Sequence, residues 1–278
     1  MERVLIASDI HCCHIDWYGV KNLDRMNLFV KNVEEEYKKE PFSALLLLGD
    51  YSLDHWIGKG SYLEKGICNT KMFCDVVVKK LKEIGVPILM CAGNHEQYGH
   101  KKWQEITGFE RYGYLKINNT LYIVLDTYGD NLDPKEHGDG TYKVSDVNYI
   151  KDVMAKNPDC NVILCSHYFA KEKESEEFKK LVCEDKRILC LVCGHVHMSD
   201  VIYLGEEWGN KVLLYTGNYS YNSGEEKDVK NSMWGFRDIK VSENELVSRY
   251  ITPQNHVVLE GEKYLHPYSY QDEYKANF

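Results

Sequence analysis

No run of ~18 consecutive apolar residues occurs in this chain, which argues against a membrane-spanning helix. A basic stripe is missing too: 34 Lys and Arg stand against 43 Asp and Glu, for a net charge of −9. That balance disfavours the broad phosphate-backbone footprint that nucleic-acid binding needs, although it leaves a small phosphorylated substrate open. The opening MERVLIASD has no charged segment followed by a long apolar stretch and a small-residue cleavage site, so a soluble, cytoplasmic protein is expected. Ten cysteines in 278 residues are too few for a disulfide scaffold. Six of them (Cys12, Cys91, Cys160, Cys165, Cys190 and Cys193) lie in or beside apolar runs and read as reduced, buried thiols. Internal repeats and low-complexity segments are also lacking.

What the chain does have is apolar content, 44% of its residues, enough for a full core. Five short apolar runs end in metal-binding residue types: VLIASDIH, ALLLLGD, PILMCAGNH, VILCSH and LCLVCGHVH. They read as buried strands delivering Asp9, His11, Asp50, Asn94, His95, His167, His195 and His197 to one edge of a sheet. Because these clusters run from residue 9 to 197, a domain boundary between them would break any shared site. One domain over 1–260 is expected, with a Tyr-rich tail over 261–278 whose structure the sequence leaves open.

Helices are predicted between the strands. Leu23 to Tyr37 carries Leu28, Phe29 and Val33 near helical spacing and stops before Pro41. Residues 71–84, 145–156 and 172–183 follow the same logic, while 98–113 reads as a helix or a loop. From residue 200 the pieces DVIYL, KVLLYTG and LVSRYI are shorter, which suggests a second, more antiparallel sheet packed on the first.

Asp9 and His11 are two residues apart, as are His195 and His197. On an extended segment such residues point the same way and can reach one metal centre. A single DxH is a weak signal, since most such pairs are turns or caps; a His pair at a strand end has fewer structural uses. Asp50, taken alone, reads equally as a turn or a helix N-cap, and His167 alone as a hydrogen-bonded core histidine. Taken together the candidates all fall at the carboxyl ends of strands, where open α/β sheets place their sites.

In this combination the chain resembles the calcineurin-like metallophosphoesterases, whose ordered motifs are DxH, GD, GNH followed by an acid, a lone His, and GHxH. All five are present in order, as DIH, GD, GNHE, His167 and GHVH. The resemblance implies a four-layer α/β/β/α sandwich of two mixed sheets and a dinuclear centre. It implies Asp9, His11 and His197 on one metal, Asn94, His167 and His195 on the other, and Asp50 bridging them. Mixed nitrogen and oxygen ligands suit Mn²⁺, Fe²⁺ or Zn²⁺.

Two such cations can share a water whose hydroxide attacks phosphorus in line. His95, beside Asn94 but not needed as a ligand, is expected to protonate the leaving oxygen. Family members commonly carry a second acid after GD that orients this histidine. Here GDYSLDH places Asp54 four residues after Asp50, one further than in the protein phosphatase pattern GDYVDRG, so Asp54 is a candidate beside the reading as a loop or turn residue. His55 or Trp56 stands near the phosphatase arginine, and Ala92 replaces the arginine before GNHE; Leu53 occupies the position of the purple acid phosphatase tyrosine. The expected activity is hydrolysis of a small-molecule phosphate mono- or diester. A nuclease or protein phosphatase of the same family, or a non-catalytic metal-binding scaffold, are the alternatives.

Loop residues Trp56, Tyr98, His100, Lys101, Lys102, Trp103, Tyr128, Tyr219 and Trp234, together with His14, Asp16 and Trp17, are candidates for a rim that stacks on a base or clamps phosphate. The competing reading is aromatic packing on their own stems. Cys12 and Cys13 read as incidental fillers, with oxidation after metal loss as the rival.

Overall fold

Apolar residues at alternate positions of the central strands serve two different layers. Val4 and Ile6 face a second sheet, whereas Leu5 and Ala7 face helices; in the same way Leu46 and Leu48 oppose Leu45 and Leu47. A strand covered on both faces has no polar side, which is why ALLLL is continuously apolar and wholly buried. The computed structural model describes residues 2–17, 19–53, 62–128, 140–221, 234–253 and 272–278, with the backbone alone over 62–66.

Two six-stranded mixed sheets pack face to face. The first contains β1 (Glu2–Ala7), β2 (Ala44–Leu48), β3 (Ile88–Cys91), β10 (Phe236–Val241), β11 (Glu245–Ile251) and β12 (Glu273–Asn277), in the order β12-β11-β10-β1-β2-β3. The second contains β4 (Gly113–Ile117), β5 (Thr120–Leu125), β6 (Asn161–Ser166), β7 (Ile188–Cys193), β8 (Ser199–Tyr203) and β9 (Val212–Thr216), in the order β4-β5-β6-β7-β9-β8. The second is parallel from β5 through β6 and β7 to β9 and antiparallel at both margins, whereas the first is parallel from β1 to its edge strand β3 and antiparallel from β1 through β10 and β11 to β12.

Helices α1 (Asn22–Lys39), α2 (Tyr62–Phe73), α3 (Lys79–Leu81) and α4 (His100–Thr107) cover the first sheet, through residues such as Phe29, Phe73, Leu81 and Trp103. Helices α5 (Val147–Ala155) and α6 (Glu176–Glu184) cover the second, through Ile150, Met154, Phe178 and Val182. Three apolar layers therefore separate four layers of structure, as the resemblance implied. Helix entry is set by capping: Asp146 accepts from the Tyr149 amide and Ser175 from the Phe178 amide.

The expected helix over 71–84 is the end of a longer one. It begins at Tyr62, passes through a π-helical turn at Cys74–Val78, and stops at Gly85, whose φ of 84° only glycine adopts cheaply. The pieces after residue 200 do not form a separate sheet. β8 and β9 extend the sheet of β5 to β7, with β9 parallel to β7, while β10 to β12 extend the sheet of β1. Each parallel core exposes an edge, and the late strands cover one edge of each.

Three strands escaped the sequence reading. β10 escaped because Arg237 and Asp238 sit in mid-strand, yet both are buried, Asp238 against Arg3 at 2.7 Å and Arg237 against Asp272. β4 alternates half-buried and exposed residues, and β12, within the 261–278 tail, pairs antiparallel with β11 at the sheet margin.

Candidate metal centre

The five clusters follow β1, β2 and β3 of one sheet and β6 and β7 of the other, so two sheets, not one edge, supply the site. The strands have already ended where the side chains converge. Among the described residues seven non-glycine positions have positive φ, and five belong here: Asp9 (54°), His11 (48°), Asp50 (57°), His195 (71°) and His197 (56°). The paired directions of Asp9 with His11 and of His195 with His197 thus come from left-handed turns, not from extended chain. Such backbone costs of order 1 kcal/mol or more per residue and gathers at functional sites.

Glycine makes the close approach possible. A β-carbon on Gly93 would lie 2.0 Å from Asp50 Oδ1, and one on Gly194 would lie 2.3 Å from Ser8 Oγ and 2.6 Å from Asp9 Oδ2.

Asp9, His11, Asp50 and His197 each offer a ligand atom, all within 4.8 Å of one another; Asp50, His167 and His195 form a second such group. Asp50 belongs to both. Asn94 Oδ1 lies 2.9 Å from His167 Nε2 and 2.9 Å from His195 Nδ1, adding an amide oxygen to the second group. His11 Nε2 and His197 Nε2 are 3.1 Å apart.

Backbone carbonyls orient three of the four rings. His11 Nδ1 faces Ser52 O at 3.1 Å, His167 Nδ1 faces Leu48 O at 2.7 Å, and His197 Nδ1 faces Tyr221 O at 2.9 Å. Since a carbonyl only accepts, Nδ1 carries hydrogen and Nε2 is turned inward, the usual support of a metal-ligating histidine.

The carboxylates are arranged alike. Asp9 Oδ2 accepts from the His195 amide at 2.9 Å and from Ser8 Oγ, while Asp50 Oδ1 accepts from the His95 amide at 3.1 Å. The other oxygen of each, Asp9 Oδ1 and Asp50 Oδ2, is buried with no hydrogen-bond partner among the described residues. Each faces an imidazole Nε2 at 3.3 Å outside hydrogen-bond geometry, His197 for Asp9 and His167 for Asp50, so buried carboxylate oxygens and inward ring nitrogens converge as they would on a divalent metal pair.

Electrostatics agree. Burial opposes charge on Asp9, but His197 outweighs it and holds the carboxyl below its ordinary range. Burial pushes Asp50 up. Burial would lower His167, yet Asp50 raises it to about 9; His197 is raised through Asp9 in the same way. Burial, reinforced by neighbouring imidazoles, drives His11 down and takes His195 to about 3.

His95 is 7% exposed, with Nε2 3.6 Å from Asp50 Oδ2 and its ring edge-on to His11 at 5.1 Å. It borders the cluster without belonging to either group of ligand atoms. Asp54, His55 and Trp56 lie outside the described residues.

Of the rim candidates, Tyr98, Trp103, Tyr219 and Trp234 are buried in the apolar layer under the helices, and His100 and Lys102 pair with Glu110 and Glu105. Tyr128, 5.7 Å from the His167 ring, and Trp17, 6.3 Å from His11, do flank the centre. Tyr168, 4.4 Å from the His195 ring, and Tyr221, 4.4 Å from His197, were not singled out from the sequence, and nothing in their local pattern marks them. Cys12 and Cys13 are buried.

Glu96 also emerges only in three dimensions, though its place after GNH was a signal. One carboxylate oxygen accepts from the amides of Asp50 (2.9 Å) and Gly93 (2.8 Å), the other from those of Tyr51 (2.9 Å) and Ser52 (3.0 Å). It fastens the turns after β2 and β3 to each other. Burial, then the nearby Asp50, pushes its pKa up to about 7.

A comparison with curated protein sequences gives no match. Among solved structures, a dimetal phosphatase from Danio rerio is similar at a TM-score of 0.64 and 12% identity, covering 90% of this chain and 95% of that one. The purple acid phosphatase PPD1 from yellow lupin (Lupinus luteus) is similar at a TM-score of 0.56 and 15% identity, covering 99% of this chain and 53% of that one. At such identities the likeness is one of fold. The model of the calcineurin-like phosphoesterases matches residues 2–199, which carry all five motif clusters. The chain belongs to the calcineurin-like phosphoesterase family.

Proposed function

We propose that this protein hydrolyses a phosphate mono- or diester of a small molecule, using two divalent cations drawn from Mn²⁺, Fe²⁺ or Zn²⁺. The observation that carries this reading is Asp50: it is common to both groups of converging ligand atoms, and its Oδ2 has no hydrogen-bond partner among the described residues. Asp9, His11 and His197 would hold one ion, Asn94, His167 and His195 the other, with Asp50 between them. Cations bound there would lower the pKa of a shared water and polarise a phosphoryl oxygen for in-line displacement.

The chain's own groups do the rest. The carbonyls of Ser52, Leu48 and Tyr221 keep three imidazoles in the tautomer that aims Nε2 inward. His95 donates a proton to the leaving oxygen; its amide, bonded to Asp50, ties its position to the shared carboxylate. Asp54 remains the candidate to orient His95. A net charge of −9 supports a small substrate over nucleic acid, and ten free cysteines support the reducing cytoplasm as its compartment.

The test is hydrolysis of p-nitrophenyl phosphate and bis-p-nitrophenyl phosphate by Mn²⁺-loaded protein. Turnover of at least one, abolished by chelation and restored by metal, is expected. No turnover of either with two ions bound per chain would overturn the reading in favour of a scaffold.

A further inference from the structure

The side chain of Arg25, on the first turns of α1, is fully buried, and no carboxylate among the described residues hydrogen-bonds it. Its guanidinium donates to four oxygens instead: the carbonyls of Ile10, His11 (2.7 Å) and Tyr219 (2.7 Å), and Asn22 Oδ1 (3.2 Å). The ring of Trp17 covers it at 4.6 Å. Burial brings its pKa down to about 10, which still leaves it charged at neutral pH. Asp16 favours its charge from nearby without a hydrogen bond to it; a buried cation held mainly by carbonyls is expensive, and a helix-to-sheet contact has cheaper apolar solutions.

The carbonyls it holds share one purpose. Ile10 and His11 form the left-handed turn that carries Asp9 and His11. Tyr219 begins the segment that closes on that turn: its amide donates to Asp9 O at 3.1 Å, and Ser220 Oγ donates to the same oxygen at 2.7 Å. Two residues further, Tyr221 O orients His197 through Nδ1. One planar fork therefore grips both peptide segments that aim the His11 and His197 rings at each other. Asn94 and His167 are held by other partners, the turn that Glu96 fastens and Leu48 O, while the His195 amide donates to Asp9 Oδ2 at 2.9 Å and so leans on the same turn as His11.

We propose that Arg25 is a positioning residue for one half of the metal centre, setting the spacing of His11 and His197 and leaving Asn94 and His167, in the other half, to other supports. This rests on the two-ion reading above. Lysine cannot replace it, because a single ammonium lacks the planar fork that reaches Ile10, His11 and Tyr219 together.

The test is metal titration of the wild-type chain, R25K and R25M, with Mn²⁺ binding followed by electron paramagnetic resonance and Co²⁺ binding by its visible spectrum. Wild type is expected to take two ions. Both variants should keep one at near wild-type affinity and bind the second at least about tenfold more weakly, the range seen when a metal's supporting contacts are removed. The Co²⁺ bands should change in shape as well as amplitude. Near-UV circular dichroism checks folding, and R25K, which keeps charge and bulk, carries the measurement if R25M does not fold. Two ions bound with wild-type affinities in a folded variant, or equal weakening of both, overturns the assignment of Arg25 alone. A wild-type chain that takes fewer than two ions overturns the two-ion reading and the Arg25 role with it.

Discussion

His11 Nε2 and His197 Nε2 lie 3.1 Å apart, although 186 residues separate them in the chain, and each ring turns Nδ1 to a backbone carbonyl. One proton can bridge such a pair when His197 carries it, which agrees with the raised pKa of His197 and the lowered one of His11. A divalent cation at the same place would take the lone pairs of both.

Asp50→Asn separates stability from function. In the metal-free chain burial disfavours the Asp50 carboxylate while its charge raises His167, so the amide should lower the His167 pKa and change stability at neutral pH by less than about 2 kcal/mol. Turnover should fall at least about a hundredfold, and metal content below two ions per chain. Thermal unfolding in chelator with metal analysis checks both; a variant that keeps two ions and full turnover refutes the bridging role.

His95→Asn should leave metal content unchanged and reduce kcat by roughly 10²–10⁴. Because a phenolate leaves readily without protonation, the loss should be larger for an alkyl phosphate than for p-nitrophenyl phosphate. Equal losses on both substrates would argue against proton donation.

The pH dependence of the metal-free protein should carry the mark of His167. Its folded pKa of about 9 lies above the ordinary 6.5, so its contribution to stability is complete below pH 6.5 and disappears as pH rises through 9. A metal displaces that proton, so apparent Mn²⁺ affinity should rise about tenfold per pH unit for each proton released, and level off above pH 9. Titration calorimetry in buffers of different ionisation enthalpy measures the release; affinity that is flat between pH 7 and 9 contradicts it.

Glu96→Gln replaces one acceptor oxygen with an amide donor, leaving two of the four backbone N–H groups facing another donor. Stability should drop by about 2–4 kcal/mol, and metal binding should weaken because the Asp50 turn loses its anchor. Urea unfolding with and without Mn²⁺ would show it, and a loss below about 0.5 kcal/mol would mean the clamp is dispensable.

Most of the candidate centre is legible in the sequence, because each motif is short, local and placed at the end of a strand whose apolar character is itself local. Asp9, His11, Asp50, Asn94, His167, His195 and His197 converge, although from the strand ends of two sheets and not from one sheet edge. Less legible were elements whose identity depends on distant partners. β10 is a strand because Arg3, Asp272 and the Tyr215 carbonyl receive its charges, and no window of sequence contains those partners.

Local order of residues thus specified the apolar strands, the turn glycines and the chemistry at their ends, since these follow from side-chain type and spacing within a few residues. Folding of the whole chain decided which sheet each strand joined and which carbonyl faced each imidazole. It also decided that Arg25, Glu96 and Tyr221 stand behind the ligands. Those choices are set by pairing between segments up to two hundred residues apart, where burial and hydrogen-bond satisfaction are settled only by the complete packing.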